Sequence, residues 1–132
     1  MADEPKNITT DEHFEIFKTE CRKWVNILGL MGWEIFYSHK PVKESSRANA
    51  SYHVMGRIAT LNLEPVWKDS DVSSDDEIRR IAFHEVCEVL MARIAIIGKD
   101  RYISESEIDE EVHNVIRTLE NVLWEPRDAD AV

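Results

Sequence analysis

Two metal-ligating residue types stand four positions apart in the segment RRIAFHEVCEVLMARIAIIG, which runs from Arg79 to Gly98. In an α-helix, residues i and i+4 lie about 40° apart on one face, so His84 and Glu88 can hold one metal ion between them. Glu85 is rotated about 100° from His84, off the direct ligand line, where a carboxylate can take a proton from a metal-bound water. The segment therefore carries H-E-x-x-E at a spacing that zinc hydrolases use as H-E-x-x-H.

The helix that carries these residues is too apolar for an ordinary surface helix, which predicts a central position in the fold. Buried carboxylates need a partner, and a metal cation is one such partner. Arg79 and Arg80, near the helix start, are the competing partners. Cys87 could also reach an ion, but free cysteines are more often small core residues, and we predict a core position for it. The apolar residues are Ile81, Ala82, Phe83, Val86, Cys87, Val89, Leu90, Met91, Ile94 and Ile96.

Composition narrows the class of protein. The chain has 132 residues, 43% of them hydrophobic, which suits one domain with a real core. We place that domain at residues 10–124, between flexible ends at 1–9 and 125–132. The formal net charge is −10 and no basic cluster stands out, so nucleic-acid binding is not expected. No apolar run is long enough for a membrane span and no secretory signal is present, so we expect a soluble, cytoplasmic protein without membrane association.

Capping signals and apolar periodicity predict three helices, at about residues 10–29, 75–97 and 105–123. Ser74 and Ser104 each precede a glutamate by three residues, which is typical of a capping box at a helix start.

Between the first two helices, the pattern predicts two or three strands. The alternation in WEIFYSH, from Trp33, indicates one strand, and residues 51–55 and 57–63 indicate a hairpin or a bent, bulged strand around Gly56. The fold class is therefore α+β, with a small antiparallel sheet of two to four strands, an N-terminal helix, a central helix and a C-terminal helix.

Over about residues 14–123, the chain resembles a small, phage-associated group of zincin-like metallopeptidases. The resemblance lies in LGLMGWEI before a strand, GRIATLNL as an edge-like strand, IAFHEVCEVLMA, and EEVHNVIRTLENVL as a closing helix. It implies a zincin-like core, in which a sheet supports an active-site helix and a later helix supplies a third metal ligand. It also implies zinc as the cofactor and hydrolysis of a peptide bond as the activity.

Carried over residue by residue, the resemblance makes His84 the first metal ligand and Glu85 the general base. Glu88 stands where the family has its second histidine, and a carboxylate there shifts metal preference toward manganese or magnesium and weakens the Lewis acid. The third ligand would come from the last helix. His113 is preferred because it is the softer donor, and Glu111 is the alternative.

Three functions stay open. The first is a metal-dependent hydrolase, a minimal zinc metallopeptidase whose extended peptide substrate adds as a strand along the edge of RIATLNL. The second is a catalytically degenerate binding protein on the same fold, acting on a host or phage protein in the host cytoplasm, with an acidity that suits a basic partner. In the third, His84 and Glu88 only form ion pairs with Arg79 or Arg80. The oligomeric state is not predicted.

Overall fold

The computed structural model describes residues 6–41, 46–99 and 102–124. These residues form three helices and a three-stranded sheet, so the predicted α+β class is confirmed. In chain order the elements are α1 (Asp11–Ile27), β1 (Glu34–Ser38), β2 (Ala48–His53), β3 (Ile58–Leu63), α2 (Asp75–Ile97) and α3 (Glu105–Leu123).

All three helices begin at a side-chain cap, and the caps of α2 and α3 are the predicted ones. The hydroxyl groups of Ser74 and Ser104 each accept a hydrogen bond from the backbone N–H three residues later, at 3.2 Å. Thr10 caps α1 in the same way. Because these hydroxyls satisfy N–H groups that have no partner inside the helix, they fix where each helix starts. Past the end of α1, Gly29 has a φ of 71°, in the left-handed region that favours glycine.

β3 lies in the middle of the sheet, between β1 and β2. β1 runs parallel to β3 and β2 runs antiparallel to it, so the predicted all-antiparallel sheet is wrong and the sheet is mixed. The predicted edge position of GRIATLNL is also wrong. Residues 51–53 and 58–63 do form a hairpin, as predicted. However, β2 lies two strand spacings, about 10 Å, from β1. β3 then folds back into the gap beside β1.

A buried polar side chain holds the centre of the sheet. Asn62 of β3 is 5% exposed. Its Oδ1 accepts hydrogen bonds from Ser38 Oγ at 2.6 Å and from the Lys40 N–H at 2.9 Å. Its Nδ2 donates to Lys40 O at 2.9 Å and to Asn49 Oδ1 at 3.1 Å. Since Ser38 ends β1 and Asn49 lies in β2, this one side chain connects all three strands.

α2 is the central helix, as its apolar composition predicts, and it contacts α1, α3, β2 and β3. The hydrophobic core packs against α2. The rings of Trp24 in α1 and Phe83 in α2 contact each other edge-on, with their centroids 4.6 Å apart. Across residues 6–41, 46–99 and 102–124, no helix combines the length and the apolar character needed to cross a membrane. The largest fully buried side chains are Phe17, Cys21, Leu61, Leu63, Ile78, Val86 and Val89.

The segment before α1 pairs with the loop between β3 and α2. Of the predicted flexible ends, residues 1–5 and 125–132 lie outside the described residues. Residues 6–9, however, form hydrogen bonds with residues 65–73. The backbone oxygen of Asn7 accepts from the Trp67 N–H at 2.8 Å, and Asn7 Nδ2 donates to Trp67 O at 2.8 Å.

Candidate metal centre

Three metal-ligating side chains meet on α2. One donor atom from each of His84, Glu85 and Glu88 lies within 4.8 Å of the other two. His84 Nε2 is 3.9 Å from Glu88 Oε1, which is the i,i+4 approach that the spacing predicts. The side chains of His84 and Glu88 are 71% and 48% exposed, whereas Glu85 is 4% exposed. The cluster therefore has two donors at the surface and one beneath it.

The position of Glu85 follows from the helical repeat. Ile81 and Val89, four residues before and after it, are both buried, so Glu85 stands in the arc of α2 that faces the core. His84 is rotated about 100° out of that arc and reaches the surface. The sequence predicts that Glu85 lies beside the ligand pair. The structure shows that Glu85 is also shielded from solvent.

The Glu85 carboxyl group is neutral at pH 7 when no cation is bound. Burial, followed by the hydrogen bond and the negative charge of Glu88, raises the pKa of Glu85 from 4.5 to about 9. Its Oε2 has no hydrogen-bond partner in the described part of the chain. Buried polar atoms are normally paired, so this oxygen needs an explanation. A cation bound at the cluster would favour the ionised carboxylate.

The donor set fits a divalent cation. Tetrahedral zinc ligands at 2.0–2.2 Å from the ion lie about 3.4 Å from one another. The 3.9 Å separation of His84 Nε2 and Glu88 Oε1 is close to that value, and both side chains are exposed enough to adjust. An imidazole and a carboxylate as ligands, with a second carboxyl group beside them, suit zinc and also harder ions such as manganese.

Neither competing arginine contacts the cluster in the described part of the chain. Arg79 Nη1 donates to Asp76 Oδ1 at 3.0 Å. Arg80 Nη1 lies 4.0 Å from Glu77 Oε1. Within the described residues neither arginine pairs with His84 or Glu88, and such pairing is what the purely structural hypothesis requires.

Neither predicted third ligand joins the cluster. His113 is exposed on α3, with its Nδ1 2.8 Å from Asp109 O, and Glu111 accepts a hydrogen bond from Arg93 Nε at 2.6 Å. Arg93 follows His84 by nine residues, which is about half a revolution of the helix beyond two full turns. α3 therefore contacts α2 on the side opposite His84. A third ligand from α3 has no support in this arrangement.

Sequence analysis missed a cavity beside the cluster. It has a volume of about 640 Å³ and is lined by residues from 46–48, 68–71 and 77–85, including His84 and Glu85. The lining contains the basic side chains of Arg47, Lys68 and Arg80. No spacing rule connects these residues with His84, because the hairpin and the loop before α2 bring Arg47 and Lys68 to the cavity wall.

Two further residues of metal-ligating type, Cys87 and His53, lie outside the cluster. Cys87 is half-buried, burial raises the pKa of its thiol, and it lies outside the three-residue cluster. His53 Nδ1 accepts a hydrogen bond from the Gly56 N–H at 3.1 Å, so this histidine stabilises the β2–β3 turn.

The arrangement can hold a cation between two surface donors and can keep a buried carboxyl group at the cation's side. Comparison with known proteins finds no matching family model, no matching curated protein and no matching solved structure.

Proposed function

We propose that this protein is a metal-dependent hydrolase, a minimal zinc metallopeptidase with a zincin-like core. The observation that supports the proposal best is the buried carboxyl group of Glu85, which belongs to a cluster with two surface donors. Among the described residues, its Oε2 has no hydrogen-bond partner. A purely structural glutamate at this depth would need a hydrogen-bond partner for Oε2.

In this proposal, His84 and Glu88 hold the cation, which is zinc, or manganese or magnesium because of Glu88. When bound, the metal polarises a carbonyl group and lowers the pKa of water. Glu85 then acts as the general base. The cation favours its ionised form, and the buried position aims one carboxylate oxygen at the cluster, where it can accept a proton and later donate it to the leaving amine.

The substrate would bind along β2 rather than along β3. β3 has partners on both sides, so it cannot receive a further strand. Within the described residues, β2 pairs on one side only, and it lies against α2. Ala48, its first residue, lines the cavity beside His84. An extended peptide added to the outer edge of β2 would thus pass the candidate metal centre.

A binding protein without turnover is the second candidate. It is favoured by the cluster's composition, since Glu88 stands where the resembled metallopeptidases have a histidine. Within the described residues, α3 adds no donor to the cluster. It is also favoured by a row of half-exposed apolar side chains along α3, a kind of surface that contacts other proteins. The row consists of Ile108, Val112, Ile116 and Leu119.

Metal content and peptide cleavage, measured together, test the proposal. Tag-free protein should contain one equivalent of zinc or manganese by mass spectrometry, and His84→Ala should lose it. His113→Ala is the matched control, and it should retain the metal because His113 lies outside the cluster. Glu85→Gln should keep the metal and lose peptide cleavage. Full cleavage by Glu85→Gln would contradict the assigned base, and a metal-free wild-type protein after zinc addition would contradict the metal centre.

A further inference from the structure

The wall of the cavity beside the cluster is richer in basic residues than the chain as a whole. The whole protein has 16 basic and 26 acidic residues. Among the described residues, the cavity lining instead holds three basic residues and, outside the metal cluster, two acidic ones, Asp71 and Glu77. Glu77 is already paired, because Arg47 Nη1 lies 2.8 Å from its Oε1.

Two cations in this wall are available to a ligand. Arg80 is 80% exposed, and its one ion-pair contact among the described residues is the 4.0 Å approach to Glu77, which is too long for a hydrogen bond. Lys68 is exposed, and its ammonium group has no ion-pair partner in the part of the chain that the structure describes. A guanidinium group and an ammonium group on the rim of one cavity suit a carboxylate, since both donate charge-assisted hydrogen bonds.

The position of Arg80 relates this charge to the metal cluster. Arg80 and His84 are four residues apart on α2, so they lie on one face with a rise of about 6 Å between them. An extended peptide advances about 3.3 Å per residue. A carboxylate held by Arg80 would therefore lie about two residues along the peptide from a bond placed at His84.

We propose that Arg80 and Lys68 bind a carboxylate of the substrate, so that the protein selects acidic peptides with this group about two residues from the bond that is cleaved. This inference rests on the hydrolase function proposed above and names its substrate class. The carboxylate belongs either to an aspartate or glutamate side chain or to the peptide's C-terminus.

The test uses the zinc-loaded full chain and a synthetic peptide mixture, with cleavage sites read by mass spectrometry. Aspartate or glutamate should be enriched within two residues of the cleaved bonds. In paired peptides, replacing that glutamate by glutamine should lower kcat/KM about tenfold, the effect of one charge-assisted contact at a partly exposed site. Peptides with an amidated C-terminus distinguish a side-chain carboxylate from the C-terminal one. If amidation lowers kcat/KM and the replacement of glutamate by glutamine does not, the bound group is the terminal carboxylate.

Neighbouring basic residues provide matched controls. Arg80→Gln and Lys68→Gln should each reduce the preference for the acidic peptide. Arg79→Gln changes the net charge equally, but Arg79 is absent from this cavity and pairs with Asp76, so it should leave the preference intact. Equal cleavage of acidic and neutral peptides would overturn the inference while leaving the hydrolase standing. An equal effect of Arg79→Gln and Arg80→Gln would also overturn it, because the preference would then reflect overall charge.

A binding measurement separates the two proposals if no peptide is cleaved. Fluorescence anisotropy with a labelled acidic peptide would report binding to the zinc-loaded protein. Binding that depends on Arg80 but leads to no cleavage would support the carboxylate site and contradict the hydrolase. Neither binding nor cleavage would contradict both.

Discussion

The carboxyl group of Glu85 lies beside that of Glu88, and the first is buried while the second is exposed to solvent. Two carboxyl groups so close cannot both ionise without strong repulsion unless a cation lies between them. Their environments decide which one keeps its proton, and burial assigns the proton to Glu85.

The first prediction concerns stability without metal. Because the pKa of Glu85 is about 9 in the folded protein and 4.5 for a solvent-exposed glutamate, the unfolded chain releases this proton at a lower pH than the folded protein does. The contribution of Glu85 to stability therefore falls as the pH rises from about 4.5 to about 9. Because glutamine does not ionise, Glu85→Gln should not show this fall in stability. It should therefore stabilise the metal-free protein at pH 8 by roughly 1–3 kcal/mol relative to wild type.

Urea unfolding in the presence of a chelator, at several values between pH 5 and pH 9, measures this effect. Glu120→Gln, at an exposed site on α3, provides the control and should leave the pH dependence unchanged. If wild type and Glu85→Gln lost stability in parallel across this range, the neutral state of Glu85 would be wrong.

The second prediction concerns protons released on metal binding. At pH 7 the metal-free protein carries a proton on Glu85, and a cation at the cluster should displace it. Zinc titration calorimetry in two buffers with different ionisation enthalpies should show about one proton released by wild type and less by Glu85→Gln. Equal proton release by both proteins would show that the proton comes from another group.

The third prediction concerns Glu88, which stands where the resembled metallopeptidases have a histidine. Glu88→His would give two imidazole donors at i and i+4, which should raise zinc affinity at least about tenfold and lower the preference for manganese. Glu88→Gln is the control, because it removes the charge without adding a nitrogen ligand, and it should weaken zinc binding. Competition with a chromophoric chelator measures both. A weaker zinc site in Glu88→His would mean that His84 and residue 88 do not bind the same ion.

The fourth prediction concerns the sheet. Asn62→Ala should destabilise the protein by about 2–4 kcal/mol, since it leaves partners in β1, in β2 and at Lys40 without the hydrogen bonds of a buried side chain. Asn49→Ala removes only the 3.1 Å contact with Asn62 and should cost about 1 kcal/mol or less. Chemical unfolding of both variants gives the comparison, and similar losses would contradict the central role of Asn62.

Local spacing was enough to predict the helices and the cluster. Ser74 and Ser104 act within one turn of their own helices, and His84, Glu85 and Glu88 are brought together by the α-helix alone. The sheet order was not predictable in this way, because it depends on pairing between residues far apart in the chain. The polar connections of Asn62 reveal its central place only after Ser38 and Asn49 are positioned.

The place of the third-ligand candidates could not be predicted from the sequence, for a related reason. Whether His113 or Glu111 reaches the cluster depends on the side of α2 against which α3 packs, and the sequence of α3 alone does not determine that. The ion pair of Arg93 with Glu111 shows that contact to lie opposite His84. Arg47 and Lys68 likewise reach the cavity through the tertiary fold.

The hydrogen bonds between residues 6–9 and residues 65–73 have a consequence for the cavity. Lys68 and Asp71, which line it, belong to a loop with no strand or helix of its own between β3 and α2. That loop is braced by Asn7, some sixty positions earlier in the chain, so deleting the first nine residues would loosen one wall of the pocket while leaving the cluster on α2 intact. An N-terminally trimmed protein should accordingly keep the proposed metal centre but become less selective among ligands.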